Sequence, residues 1–94
     1  LVACRVERGG LEPGEGTVFV DIHDNGFSPD TIRVEVGKSV RWTNRSATPH
    51  AIEAVTFSSQ TLYQGFWFQA RFETPGAYDY FCPLHTKDGT VIAE

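Results

Sequence analysis

The sequence predicts an all-β fold, an antiparallel Greek-key β-sandwich of about seven to eight strands. Apolar residues alternate with period two along several short runs, Gly, Pro, Asn and Asp punctuate those runs, and no stretch sustains a helical period. The first run is Val18, Val20 and Ile22, ended by Asp24-Asn25-Gly26. Ile32, Val34 and Val36 form the next face, and Val40 and Trp42 the one after it, with Gly37-Lys38 predicting a tight hairpin between them. Further strands are expected over 50–55, 67–72, 77–82 and 89–93, with 56–66 as the one long connection. Thr74-Pro75-Gly76-Ala77 carries Pro and Gly where a type II turn needs them. Short strands at this spacing point to a sandwich rather than to a parallel sheet with crossover helices.

A chain of 94 residues has room for one domain, and its core must come from large side chains. Seven Phe, three Tyr and two Trp supply them. The net charge of −4 argues against a nucleic acid or an anionic membrane surface as partner and suits a basic protein. No apolar run approaches the roughly 20 residues of a transmembrane segment. Residues 1–16 are expected to be an N-terminal tether, since 5–16 hold four Gly and one Pro among charges, and 17–94 the folded domain. Leu1-Val2-Ala3-Cys4 resembles a bacterial lipobox, in which the cysteine becomes the lipid-bearing residue, and so predicts an extracytoplasmic location with an anchor at Cys4.

Tyr78, Tyr80 and Cys82 share one face of their strand and Asp79 lies on the other, so the cysteine is expected to point inward at the rim of an aromatic core. Cys82-Pro83-Leu84-His85 then sets a thiol and an imidazole three residues apart, near enough to bind one ion from a single loop. A copper ion that cycles between Cu(I) and Cu(II) takes two imidazoles and one thiolate with a weak fourth ligand. The second imidazole is assigned to His50, in Thr48-Pro49-His50-Ala51. Zinc is the secondary candidate for the same donors. The plainer readings are a buried apolar Cys82 or a disulfide to Cys4, and a capped or surface His50. His23, on the polar face of the first strand, reads as a surface residue, and Trp42 and Trp67 as packing residues.

From Thr17 to Glu94 the chain resembles cupredoxins of the plastocyanin and amicyanin type. Phe27-Ser28-Pro29, then Ile32, Val34, Gly37, Val40, Trp42, Asn44 and His50, look like the first half of that family. Leu62, Gly65, Phe68, Phe72, Pro75-Gly76, Tyr78 and Tyr80 look like the run into its Cys-x-x-His loop. The resemblance implies a one-electron carrier with a single copper under one end of the sandwich. It also implies an apolar docking patch, here Pro49, Pro83 and Leu84, for a redox protein such as a cytochrome or a copper oxidase or reductase.

Two departures bear on the site. The family usually supplies an axial Met, and this chain has none. The fourth ligand is left among the Pro49 carbonyl, the Asp88 carboxylate, a water or nothing, with Asp88 more often a turn residue before Gly89 than a ligand. Ala51 replaces an Asn that ties the two ligand loops in many relatives, and Pro83 lacks an N–H that could join such a tie, so support for the ligands must come from elsewhere. Copper storage or delivery, and a red-copper centre open to a small exogenous ligand, are the competing functions. No Ser/His/Asp set, carboxylate pair or phosphate-cradling Gly loop suggests an enzyme.

Overall fold

The computed structural model describes residues 17–84 and 87–94 and the backbone of 4–7; His85 lies outside the described residues. These residues form nine strands and no helix: β1 (Cys4–Glu7), β2 (Val18–His23), β3 (Gly26–Ser28), β4 (Thr31–Val34), β5 (Lys38–Asn44), β6 (Glu53–Ala54), β7 (Trp67–Phe72), β8 (Gly76–Cys82) and β9 (Lys87–Ala93). One sheet runs β1-β7-β5-β2-β3 and the other β4-β9-β8-β6, the sandwich that the period-two runs predict. Two neighbouring pairs are parallel, β2 with β5 and β4 with β9. In each pair the chain visits the opposite sheet between the partners.

That crossing corrects one local expectation. Lys38 N–H donates to the Glu35 carbonyl at 3.0 Å, and Gly37 has φ 93°, so a tight turn is present. It is not a hairpin, because β4 and β5 belong to different sheets. A strand with one apolar face fits equally beside its neighbour or across the core from it, and turn chemistry does not distinguish the two. Val36 falls in this turn and is exposed. The expected strand over 50–55 is reduced to the two residues of β6.

β1 lies within the stretch whose composition predicts a tether. It pairs antiparallel with β7, from Cys4 opposite Phe72 to Glu7 opposite Gln69. The Gly-rich composition begins only at Gly9, and pairing here satisfies backbone groups that β7 would otherwise leave open at a sheet edge. The sandwich thus includes a strand upstream of Thr17.

Between the sheets Trp42 is fully buried, with Phe57, Phe68 and Tyr80 at ring-centroid distances of 5.7, 5.7 and 5.2 Å. Phe57 and Leu62 come from the long connection, which fills the core instead of merely crossing the surface. Tyr78 Oη donates to the Thr74 carbonyl at 2.6 Å and braces the passage from β7 to β8. On the outer side of the first sheet the Arg41 guanidinium stacks over Trp67 at 3.6 Å, a packing role for that indole.

Tyr80 sets two stability predictions. Its ring covers Gly89, its cross-strand partner, so closely that a Cβ there would overlap the phenol carbon and oxygen. A Gly89→Ala variant should therefore lose roughly 1–3 kcal/mol by overpacking, seen as a lower denaturation midpoint at unchanged m-value. The Tyr80 hydroxyl has no hydrogen-bond partner among the described residues. Burial pushes its phenol up to about 12, offset only in part by the nearby Trp42 indole N–H. Because the folded pKa is raised, the contribution is intact below pH 10 and is lost between pH 10 and about 12, as the unfolded chain ionises first. Stability should fall by about 2–3 kcal/mol across that window. Tyr80→Phe should abolish this alkaline loss and keep neutral-pH stability within about 1 kcal/mol.

Candidate metal centre

β8 alternates as the sequence predicts, with Tyr80 and Cys82 buried, Tyr78 half-buried, and Asp79 and Phe81 outward. Cys82 is the last residue of that strand, and it is a buried free thiol, not half of a disulfide. Cys4, opposite Phe72, sits toward the other end of the sandwich. At the Cys82 end β5 stops at Asn44, and the chain turns through 45–49 to bring His50 beneath the sheets. His50 and Leu62 exchange backbone bonds at 3.0 and 2.7 Å, so the long connection fixes the histidine's backbone from the other side.

His50 is 1% exposed, as is Cys82, and its Nδ1 lies 3.6 Å from Cys82 Sγ. An ion bonded to nitrogen at about 2.0 Å and sulfur at about 2.3 Å separates the two donors by about 3.5 Å at a tetrahedral angle and about 3.7 Å at a trigonal one. The spacing therefore fits two ligands of one ion. Ala51 N–H points at the same sulfur, 3.5 Å away, where it can stabilise a thiolate.

The far side of the imidazole determines which nitrogen carries the proton. Nε2 lies 3.1 Å from Asp24 Oδ1 and 3.0 Å from Ser46 Oγ. Ser46 spends its single hydroxyl hydrogen on the Thr48 carbonyl at 2.9 Å, and so meets the ring as an acceptor. A carboxylate can only accept as well. Nε2 consequently carries the proton, and the Nδ1 lone pair faces the sulfur. The Asp24 carboxyl is held below the ordinary carboxylate range, first by the hydrogen bond from His50, with desolvation opposing it.

Asn44 supports the loop that carries His50. Fully buried, it donates through Nδ2 to the carbonyls of Thr48 at 2.9 Å and Leu62 at 2.8 Å, and accepts from Ser46 N–H at 2.8 Å. One amide thus joins β5, the turn before His50 and the long connection.

The remaining candidates divide by position. His85 belongs to the segment between Leu84 and Lys87 and lies outside the described residues. Asp88 pairs with Phe81 in the β8–β9 ladder, and paired residues share a face. Phe81 and Asp88 are both exposed on the outer side of the sheet, where they line one shallow cavity with Asp79 and Thr90. That placement sets Asp88, one of the possible fourth ligands, on the strand face opposite Cys82. Pro49 is exposed immediately before His50, as are Pro83 and Leu84 after Cys82. His23 is half-buried at the end of β2. Among the described residues no group of three or more His, Cys, Asp and Glu is placed to hold one metal ion. Asp24 and Ser46 are the site residues that sequence reasoning misses. Asp24 reads as a turn residue, and Ser46 carries only its spacing, four before the histidine.

The cupredoxin-like domain model matches residues 4–93. Plastocyanin of Tetradesmus obliquus is 32% identical over 78 residues, 69% of this chain and 54% of that protein, so the chain spans about half of that relative's length. Amicyanin-alpha of Methylorubrum extorquens is 29% identical over 91 residues, 88% of this chain and 76% of that protein. Among solved structures, a purple cupredoxin from Nitrosopumilus maritimus superposes with a TM-score of 0.78 at 28% identity, covering 82% of this chain and 99% of that one. A sandwich matched from β1 to β9, with a buried His–Cys pair at one end, has its explanation in that ancestry: the chain belongs to the cupredoxin-like family.

Proposed function

We propose that the chain is a one-electron carrier whose single copper ion is held by His50 Nδ1, Cys82 Sγ and the His85 imidazole. The observation that carries this reading is the buried 3.6 Å Nδ1–Sγ pair. Relatives in the family bind copper, and plastocyanin and amicyanin stand among them. When bound, copper supplies a Cu(II)/Cu(I) couple for which thiolate and imidazole donors suit both states. The protein's part is to hold the donors still. Asn44 fixes the turn before His50, Leu62 fixes its backbone, and Ala51 N–H fixes the sulfur, so loss or gain of an electron meets little rearrangement.

Exposed Pro49, Pro83 and Leu84 surround this end and form an apolar docking patch for a redox protein, a cytochrome or a copper oxidase or reductase. The location is extracytoplasmic. No helix among the described residues is long and apolar enough to cross a membrane. A lipid on Cys4 would sit toward the pole opposite the centre, because Cys4 pairs with Phe72 whereas Trp67, at the other end of β7, pairs with Thr43 beside Asn44. An anchored molecule would then turn its docking patch away from the membrane.

One observation favours a second reading. The chain has no Met and Asp88 lies on the outer face, so the Pro49 carbonyl, a molecule from solution or no ligand at all would stand at the fourth position. Copper delivery, or a red-copper centre with an exogenous ligand, would use such a position. Titration with Cu(II) tests the carrier reading: one equivalent should raise an intense long-wavelength thiolate-to-copper band that survives a competing chelator for hours. A short-wavelength band that shifts with added anions would favour the open centre. Rapid loss of copper to the chelator would favour delivery, and a colourless chain that retains zinc against copper would overturn all three.

A further inference from the structure

From the geometry behind His50 we infer that Asp24, assisted by Ser46, is a positioning and tuning residue for the copper ligand. Its carboxylate holds His50 in the Nε2–H tautomer and, through the shared proton, raises the donor strength of Nδ1 toward Cu(II). This rests on the proposed His50–Cys82–His85 centre.

His50 is 1% exposed, whereas the Asp24 side chain is 65% exposed and reaches the ring from the turn that joins β2 to β3. The charge therefore stays in water, where it costs little, while its hydrogen bond acts on a buried group. Imidazole ligands are oriented by whatever accepts from their second nitrogen, and an anionic acceptor draws the shared proton outward and leaves the other nitrogen more basic. A more basic nitrogen favours the doubly charged ion over the singly charged one. Asp24 should thus lower the reduction potential of the bound copper, and Ser46, as the neutral second acceptor, should fix ring orientation with less effect on potential. In a chain without a Met at the fourth position, the outer hydrogen bond of His50 becomes a principal means of setting that potential.

The test uses the whole chain and three variants, Asp24→Ala, Asp24→Asn and Ser46→Ala. In the metal-free protein, long-range ¹H–¹⁵N spectra should show His50 protonated at Nε2 in wild type and a mixture of tautomers in Asp24→Ala. In the copper-loaded protein, Asp24→Ala should bind Cu(II) about 10–100-fold more weakly. Cu(I) affinity should change less, so the potential rises by about 59 mV for each tenfold difference between the two states. Asp24→Asn, which keeps an acceptor oxygen and loses the charge, should keep the tautomer and still raise the potential. A merely structural role would weaken both oxidation states equally and leave the potential in place. Wild-type tautomer, Cu(II) affinity and potential retained in Asp24→Ala would overturn the inference. If wild type itself gives no thiolate-to-copper band, the copper reading fails, while the metal-free spectra still decide whether Asp24 orients His50.

Discussion

Copper-loaded Cys82→Ser should be colourless or pale in the visible, with the thiolate-to-Cu(II) band gone and Cu(II) affinity reduced beyond the roughly 10–100-fold expected for an outer hydrogen-bond partner. The sulfur is the one soft donor in the described centre, and both the band and the accommodation of Cu(I) depend on it. The fold should survive. Cys82 ends its strand beside two groups that suit a hydroxyl, His50 Nδ1 at 3.6 Å and Ala51 N–H at 3.5 Å from the present sulfur. The cost is about 1 kcal/mol, since the smaller oxygen finds partners in place of the thiol's contacts. Absorption and isothermal titration of the two proteins side by side check both parts. A serine variant that keeps an intense visible band would remove Cys82 from the centre.

Asn44→Ala should have the largest effect on stability of any single polar substitution near the site. It deletes three hydrogen bonds of 2.8–2.9 Å and strands the Ser46 N–H, while the Thr48 and Leu62 carbonyls keep the Ser46 hydroxyl and the His50 N–H as donors. At about 1 kcal/mol for each lost bond, with a desolvation penalty for the one N–H left buried, the loss is roughly 3–5 kcal/mol. Domains of this size hold only about 5–15 kcal/mol in all, so the melting temperature should drop by more than about 10 °C. The same change frees the turn that carries His50. Electron self-exchange should slow as the ligand becomes free to move between oxidation states, and line broadening of His50 resonances should report that motion. A variant that melts within about 2 °C of wild type would show that the network is not what holds the turn.

The sandwich was legible because burial on one face writes itself into sequence as period two. Val18, Val20 and Ile22, and again Tyr78, Tyr80 and Cys82, pointed to their buried sides without any knowledge of partners. What period two does not encode is whether two such strands lie side by side or face one another, and Gly37 is where that ambiguity entered. β1 was hidden for a related reason: four residues with Val6 between charges become a strand only because β7 offers an edge. In the centre, Cys82 was legible from its strand position and His50 from its distance upstream. Asp24 was not, since nothing local links a turn after the first strand to a histidine 26 residues later. Only the closing of β2 against β5 brings them together. Asp88 shows the converse, a residue with ligand chemistry and suitable spacing that the β8–β9 register turns outward.

X-ray absorption at the copper edge of the loaded protein tests the central claim most directly. The His50–Cys82–His85 centre predicts one sulfur at roughly 2.2–2.3 Å and two imidazole nitrogens near 2.0 Å, with any fourth donor longer. A shell of nitrogen and oxygen alone, or a single imidazole beside the sulfur, would contradict it.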